Sequence, residues 1–452
     1  MPKLGSLYLI KLGGRDAEAP AHAEARTGAL PKRGGRSSIA RASALVKNAG
    51  VSTTEHRWRI ALALEYPLMQ KGGVEVLVQA LVRGLSPHFE IVLVSGDRSR
   101  EDLPAEFSKL LASHQSWTMG PQSSAPAQEL AQWLCRQNID LAHFHFGGTF
   151  VWASNRYWRC PVYPLAKTGV PCLSTNHLAT EWLNCGVNPR RPIWMKHLYQ
   201  LFAIFSRSLI YRRLELEVCV SKHDHARVAR MFPHFRHKLL QRYHSLLPAE
   251  AVPLSAQPRE PVVLCAGTIG GRKGQTTLAE AFARIAHRHP QWRVDFVGRT
   301  ELSEDAERIR VSAAQHGLAD RICLLGAMSH EQTLARMSRA SIFAIPSLQE
   351  GLGLALQEAL YCGCVGVGSR VGGIPELLDE ESNGLMAAPG DVAGLSAALD
   401  RLMSNPPLLE KLRAESRPSI LRKGMTVEAM VESYRDLYER CFSIPNASQQ
   451  PP

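Results

Sequence analysis

Two stretches of this chain gather groups that can manage negative charge. The first is Gly267-Thr-Ile-Gly-Gly-Arg-Lys-Gly274, where Arg272 and Lys273 follow a run of bare glycines. Glycines leave backbone N–H groups open to a close ligand, and two cations can hold an anion of two negative charges. A departing diphosphate is such an anion, and moving a group off it requires its developing charge to be stabilised. Each deleted charge contact would cost about 2–4 kcal/mol in the barrier. The plain alternative is a solvated Arg-Lys turn. The second stretch, Ile342 to Leu378, carries Glu350 and Glu358, with Gly351 and Gly353 beside the first. Their eight-residue separation is just over two helical turns, so both carboxylates can project from one side. Alone, the pair equally describes a solvated helix with a capping acid.

Three histidines also stand out. His177 ends the apolar run Cys172-Leu-Ser-Thr-Asn176, where a structural strand-end role is the plain reading. His143 and His145 alternate on one face of the run Leu141 to Phe146. A metal pair would need further ligands nearby in space. The chain has no Asp-x-Asp pair of the kind that holds a diphosphate-bound cation, so neither metal nor cofactor is expected. Lys, Arg and helix N-termini would take the metal's place.

The elements that must position these groups follow from periodicity. Strands are expected at Trp58–Glu65, Ile91–Ser95, Leu141–Phe146, Pro171–Asn176 and Glu217–Ser221. Gly72-Gly73 opens a helix through Leu85, and Leu130–Arg136 is a second. After a Pro-rich linker, Val252 to Pro261, the alternation begins again. Strands are expected at Val262–Ala266, Val294–Val297, Ile322–Leu325 and Ile342–Ile345, and helices at Thr276–His287, Asp305–Gln315 and Leu354–Leu360. Such alternation predicts an α/β protein of two doubly wound Rossmann-like domains facing across a cleft. Loops at the carboxyl ends of parallel strands are where such sheets bind ligands.

The order P-S-x-x-E-G-x-G-L-x-x-x-E-A-x-x-x-G, then S-x-x-G-G-x-P-E, runs from Pro346 to Glu376. It resembles the donor-binding signature of family 4 glycosyltransferases, retaining enzymes of the GT-B fold. The resemblance covers roughly residues 58–440 and is specific in the second half. It implies that Lys273 and Arg272 meet the donor diphosphate, with Gly73, Gly353 and Leu354 contributing backbone amides. Glu358 would accept from the nucleotide ribose, whose diol offers two donors. Glu350 would lie near the transferred sugar, and His177 would face that sugar from the first domain. Retention would follow from same-face attack, the leaving phosphate oxygen taking the acceptor proton.

The chain departs from the family pattern in places. Thr268 stands where a Gly-Arg pair is common, so Arg272 would substitute. Tyr243-His-Ser-Leu-Leu-Pro248 replaces the usual Asn-Gly or Asn-Pro, Val365 replaces a common Pro, and Leu352 a frequent Phe.

Composition narrows the classes. An apolar share of 45% and a charged share of 21% over 452 residues suit a soluble chain of two or three domains. No apolar run reaches membrane-spanning length without a Lys or Arg, and no N-terminal apolar segment reads as a secretory signal. The ten Cys lack paired spacing and read as reduced thiols in the cytoplasm. The net charge of +12 sits in two places. Residues 1–58 hold ten Lys/Arg against four Asp/Glu, and residues 186–213 hold six Lys/Arg and no acid. No nucleic-acid motif accompanies them, so an anionic membrane surface or an acidic acceptor is the expected partner.

Within the second basic segment, Ile193 to Tyr211 reads as an apolar helix with Lys196, Gln200, Ala203 and Arg207 on one stripe. It is either a core helix with a narrow wet edge or an in-plane helix touching lipid, flanked by Arg190, Arg191, Arg212 and Arg213.

The expected organisation is a basic tail at 1–55, an acceptor-side domain at 56–250, a nucleotide-sugar domain at 251–425, a helix at 426–442 returning to the first domain, and a frayed end at 443–452. The leading reading is a glycosyltransferase using a nucleotide-sugar donor and a glycan or lipid-linked acceptor, at the inner membrane face. Its rivals are a sugar-nucleotide epimerase on the same fold and a non-catalytic nucleotide- or glycan-binding descendant.

Overall fold

The computed structural model describes residues 57–69, 72–96, 103–117, 125–146, 159–177, 192–248 and 258–443. The basic tail, Lys71, Arg190, Arg191, most of the Pro-rich stretch and the chain end beyond Ser443 lie outside the described residues.

Two all-parallel sheets carry the chain. The first orders its strands β3 (Ser113–Trp117), β2 (Glu90–Gly96), β1 (Arg59–Leu64), β4 (Leu141–Phe146), β5 (Cys172–Asn176), β6 (Leu216–Cys219) and β7 (Leu239–Gln241). The second orders β10 (Ile322–Leu324), β9 (Arg293–Val297), β8 (Glu260–Ala266), β11 (Ala340–Ile345), β12 (Val365–Ser369) and β13 (Gly384–Ala387). This is the doubly wound α/β class expected from the alternation. Parallel strands are covered on both faces, so their residues must be apolar throughout. Accordingly β1 is buried at every position after Arg59, and β11 at every position.

In each sheet the strand order reverses once, between β1 and β4 and between β8 and β11. Loops leaving the carboxyl ends of neighbouring strands at a reversal diverge to opposite faces and open a crevice. Helices α1 (Gly73–Leu85), α2 (Ala125–Arg136), α3 (Ile193–Tyr211) and α4 (Lys222–Met231) accompany the first sheet. Helices α5 (Gln275–Ile285), α6 (Ser303–Gln315), α7 (His330–Met337), α8 (Leu354–Tyr361), α9 (Val392–Met403) and α10 (Pro406–Arg422) accompany the second. On one face of the second sheet, Phe282 of α5 and Leu399 of α9 pack over Val294, Ile342 and Val365. On the other, Leu356 and Leu360 of α8 and Ile420 of α10 pack over Leu264 and Phe343.

The last helix, α11 (Val427–Ser443), leaves the second sheet and lies against the first. Tyr434, Leu437 and Tyr438 are buried there, and Phe442 stacks on Trp58 at 4.3 Å.

Two sequence expectations are corrected. The linker read over Val252 to Pro261 ends earlier, because Glu260 and Pro261 already belong to β8. Pro261 is tolerated because it lies at the strand start, where the β8–β11 register shifts. More consequentially, the stripe of α3 read as a narrow wet edge faces inward. Ala203 and Arg207 are fully buried, while Ile193, Trp194, Leu198, Leu201 and Phe205 are exposed. The reason is a buried ion pair between Arg207 and Glu217 of β6. Tyr211 Oη donates to Glu217 Oε1 at 2.7 Å and Ser174 Oγ donates to Oε2 at 2.9 Å. Removing either partner would strand a buried charge, so the pair dictates which face of the helix turns inward.

Candidate active site

A cleft of about 570 Å³ opens where the reversal loops of the two sheets meet. Gly73, His177, Arg272, Lys273, Glu350, Gly353, Leu354 and Glu358, the eight residues given donor-site roles from the sequence, all line it, whereas His143 and His145 do not. Gly73 begins α1 just after β1, and His177 follows β5 directly. From the other side, Arg272 and Lys273 come from the loop after β8, Glu350 and Gly353 from the loop after β11, and Glu358 from α8.

Lys273 and Glu350 are in contact, Nζ to Oε2 at 2.6 Å, and Ser347 Oγ donates to the same oxygen at 3.2 Å. Local backbone geometry enforces this meeting. Gly274 has φ of +65°, and a Cβ there would stand 2.0 Å from the Pro346 carbonyl oxygen. Gly372 has φ of +58°, and its Cβ would stand 1.9 Å from the Glu350 carbonyl oxygen. Only glycine fits either position, so the Glu350 loop is clamped between them. The amides of Leu348 and Gln349 also donate to the Arg272 carbonyl, at 2.8 and 3.2 Å. Burial by itself would raise the Glu350 pKa, but the Lys273 ammonium and its hydrogen bond, with Arg272 and Ser347, outweigh it and hold the carboxyl below its ordinary range. An ammonium carries three donors, so Lys273 can serve Glu350 and a ligand oxygen together.

Glu358 Oε1 meets His330 Nε2 at 2.6 Å, and this hydrogen bond raises the His330 pKa against the opposing effect of burial. His330 also lines the cleft but escaped the sequence reading. Its signal was present: Ser329 and Gln332 form a reciprocal capping box that marks the start of α7.

His177 belongs to a buried stack. Its ring lies 5.7 Å from that of His145 and 5.1 Å from that of His244, and His145 lies 4.4 Å from His143. Burial lowers the pKa of His177 to about 3, so the cleft receives a neutral imidazole that can both donate and accept. The stack is anchored from α11. Tyr438 Oη meets His143 Nδ1 at 2.6 Å, while Tyr434 Oη meets His244 Nε2 at 2.7 Å and Thr175 Oγ1 at 3.1 Å. His244 is thus a cleft residue, placed in the segment Tyr243–Pro248 that departs from the family pattern. Among the described residues, no group of three or more His, Cys, Asp or Glu is arranged to hold a metal.

The two sides of the cleft are also joined directly. Glu376, from the second half, accepts from the backbone amides of Lys222 and His223 at 2.9 Å each and from Tyr243 Oη at 2.8 Å. Its charge therefore caps the N-terminus of α4 in the first half, where a carboxylate is favoured. Gly351 approaches the His177 carbonyl so closely that a Cβ would stand 2.4 Å from its oxygen.

This geometry has recognisable relatives. The family profile described as Glycosyltransferase Family 4 matches residues 71–239, and that described as Glycosyl transferases group 1 matches residues 250–418. A D-inositol 3-phosphate glycosyltransferase of Segniliparus rotundus is 31% identical over 189 residues, 40% of this chain and 41% of the relative. An alpha-D-kanosaminyltransferase of Streptomyces kanamyceticus is 27% identical over 158 residues, 35% of this chain and 40% of the relative. The matching segment thus spans about two fifths of the length of these relatives. In three dimensions the sucrose-phosphate synthase of Thermosynechococcus elongatus superposes with a TM-score of 0.67 at 20% identity, over 86% of this chain and 100% of that one. Anabaena Alr3699/HepE, solved in complex with UDP and glucose, gives 0.63 at 15% identity, over 84% and 99%. Two parallel sheets with a cleft between their reversal points are the GT-B fold, and with both halves matched by profiles of one group, the chain belongs to the family 4 glycosyltransferases.

Proposed function

We propose that this protein is a retaining glycosyltransferase, moving a sugar from a nucleoside-diphosphate donor to a glycan or lipid-linked acceptor. The observation that carries the reading is the Lys273–Glu350 contact on the cleft wall, opposite Gly73 and His177. The related HepE fold was captured with UDP-glucose, which supports a donor of this type here. The donor lies on the second-domain wall. Glu358 accepts from the ribose hydroxyls, exchanging its His330 partner for them. Lys273 and Arg272 hold the diphosphate oxygens, helped by the amides at the starts of α1 and α8. His177, neutral, bonds a sugar hydroxyl and orients the anomeric carbon. The acceptor oxygen enters from the first-domain side. Its bond to the anomeric carbon forms on the face from which the bond to the phosphate oxygen breaks, and that phosphate oxygen takes the acceptor proton. Glu350, paired to Lys273, stays ionised and needs form no covalent intermediate.

The test has three readings. A thermal-shift screen of UDP-, GDP- and ADP-sugars should find one that stabilises the protein by about 2.7 kcal/mol at 100 times its dissociation constant. Glu350→Gln should abolish transfer while that shift persists. The product's anomeric proton coupling should match the donor's. No shift with any of the three removes the donor assignment, and an inverted product removes retention. Conversion of the nucleotide-sugar without an acceptor would instead favour an epimerase.

A further inference from the structure

Helix α3 turns an apolar face away from the protein. Ile193, Trp194, Leu198, Leu201 and Phe205 are 57–66% exposed. Trp194, Leu198, Leu201 and Phe205 recur at i, i+4, i+7 and i+11, which is a single stripe along the helix. Scattered exposed apolar residues are ordinary, but a contiguous stripe of large ones marks a surface that meets something. The helix cannot bury this stripe by rolling over. Arg207 and Glu217 pair beneath it, both fully buried, and rolling would break that pair in the interior.

The charges around the stripe identify what it meets. From Pro192 through Leu214 there is no Asp or Glu, whereas Arg212 and Arg213 stand at the helix end. Arg212 and Arg213 are exposed at the helix end, where long basic side chains can reach the level of the stripe. We infer that α3 is a docking surface for a bilayer bearing anionic headgroups, with the helix lying in the plane of the interface. Its 19 residues lay down a line about 28 Å long. Trp, Phe and Leu enter the headgroup boundary while the basic residues meet lipid phosphates. Among the described residues, no helix is long and apolar enough to cross a membrane.

Other occupants fit less well. Two copies stacked through this face would bring Arg212 and Arg213 close to their like, with no acid in the segment to pair them. A single convex helix offers no groove for a peptide. The placement also has a consequence. Only Arg212 to Glu215 separate α3 from β6, so its C-terminal end lies at the amino edge of the first sheet. Trp194 then reaches toward the carboxyl edge, where His177 and the cleft lie, which would present the cleft to molecules held in the membrane. This inference goes beyond the transfer reaction and does not depend on it.

Flotation of the full chain with phosphatidylcholine vesicles, with and without phosphatidylglycerol, tests it. The parent should float with the anionic vesicles and less as ionic strength rises. Leu198→Ser/Phe205→Ser should weaken partitioning on the order of tenfold or more. Arg212→Glu/Arg213→Glu should erase the preference for anionic lipid. Both pairs are exposed, so each variant should keep the parent's circular dichroism and thermal midpoint. The inference is overturned if the parent stays unbound with both vesicle types, or if Leu198→Ser/Phe205→Ser floats like the parent. A parent that is dimeric by light scattering and unbound to vesicles, with the same variant monomeric, would assign the face to a second copy instead.

Discussion

At the scale of single residues, the Lys273–Glu350 contact is the centre of charge in the cleft. Each side chain is mostly buried, so each depends on the other. Lys273→Met should therefore do two things: lower kcat/KM by about 2–4 kcal/mol of lost transition-state stabilisation, and destabilise the fold by about 3–5 kcal/mol through the stranded carboxylate. Adding Glu350→Gln should recover part of the stability and none of the transfer, which denaturant melts and initial rates would separate. The pair also has a pH signature. The Glu350 pKa is depressed in the folded state, so its contribution is complete above the unfolded carboxyl value of about 4.3 and is lost as pH falls through the lower folded value. The stability difference between parent and Glu350→Gln should hence be level above about pH 5 and shrink below about pH 4. A difference that is flat through pH 3 would show that the carboxylate is not held as described.

At the scale of elements, α11 does more than fill a gap. The Tyr434 hydroxyl serves both Thr175 and His244, and His244 packs on His177 at the cleft. Tyr434→Phe keeps the ring and removes both bonds. It should cost about 1–3 kcal/mol, because His244 Nε2 is left buried without its partner. If the hydroxyl positions the stack, kcat should fall with donor affinity unchanged, and the pH–rate profile should shift as the histidines lose their fixed arrangement. A loss of stability alone, with kcat and profile unaltered, would reduce Tyr434 to a structural role. The same scale shows what sequence made plain and what it hid. The loop after β8 and the loop before α8 were legible because their marks are local: a run of glycines, a strand before, a helix after. Strand β3 was not, since Ser113-His-Gln-Ser-Trp117 is an edge strand with no buried position and hence no apolar pattern. Helix α10 was hidden by Pro406, Pro407 and Pro418, which punctuate the sequence like a loop.

At the scale of the whole molecule, three devices hold the halves together across the cleft: the Glu376 cap on α4, the Gly351–His177 approach and the return of α11. Ending the chain at Thr426 should remove the third. It would withdraw Met430, Tyr434, Leu437 and Tyr438, four buried side chains contributing about 6–12 kcal/mol by area. That is comparable to the whole stability of a domain, so the shortened chain should show no cooperative melt for its first half. A calorimetric scan with both transitions intact would refute the dependence.

The sequence alone determined the class of fold, the loops of the second half and eight of the residues that line the cleft. Those features leave local marks in the chain, as glycine runs, apolar strands and helix starts. Tertiary structure alone decided that His244 and His330 join them and that Glu376 ties the two halves together, since each acts on a partner distant in sequence. It also decided which face of α3 looks outward. The apolar pattern left a core helix and a lipid-facing one both open, because periodicity counts side chains and cannot see that Glu217, on β6, pairs with Arg207 in the interior.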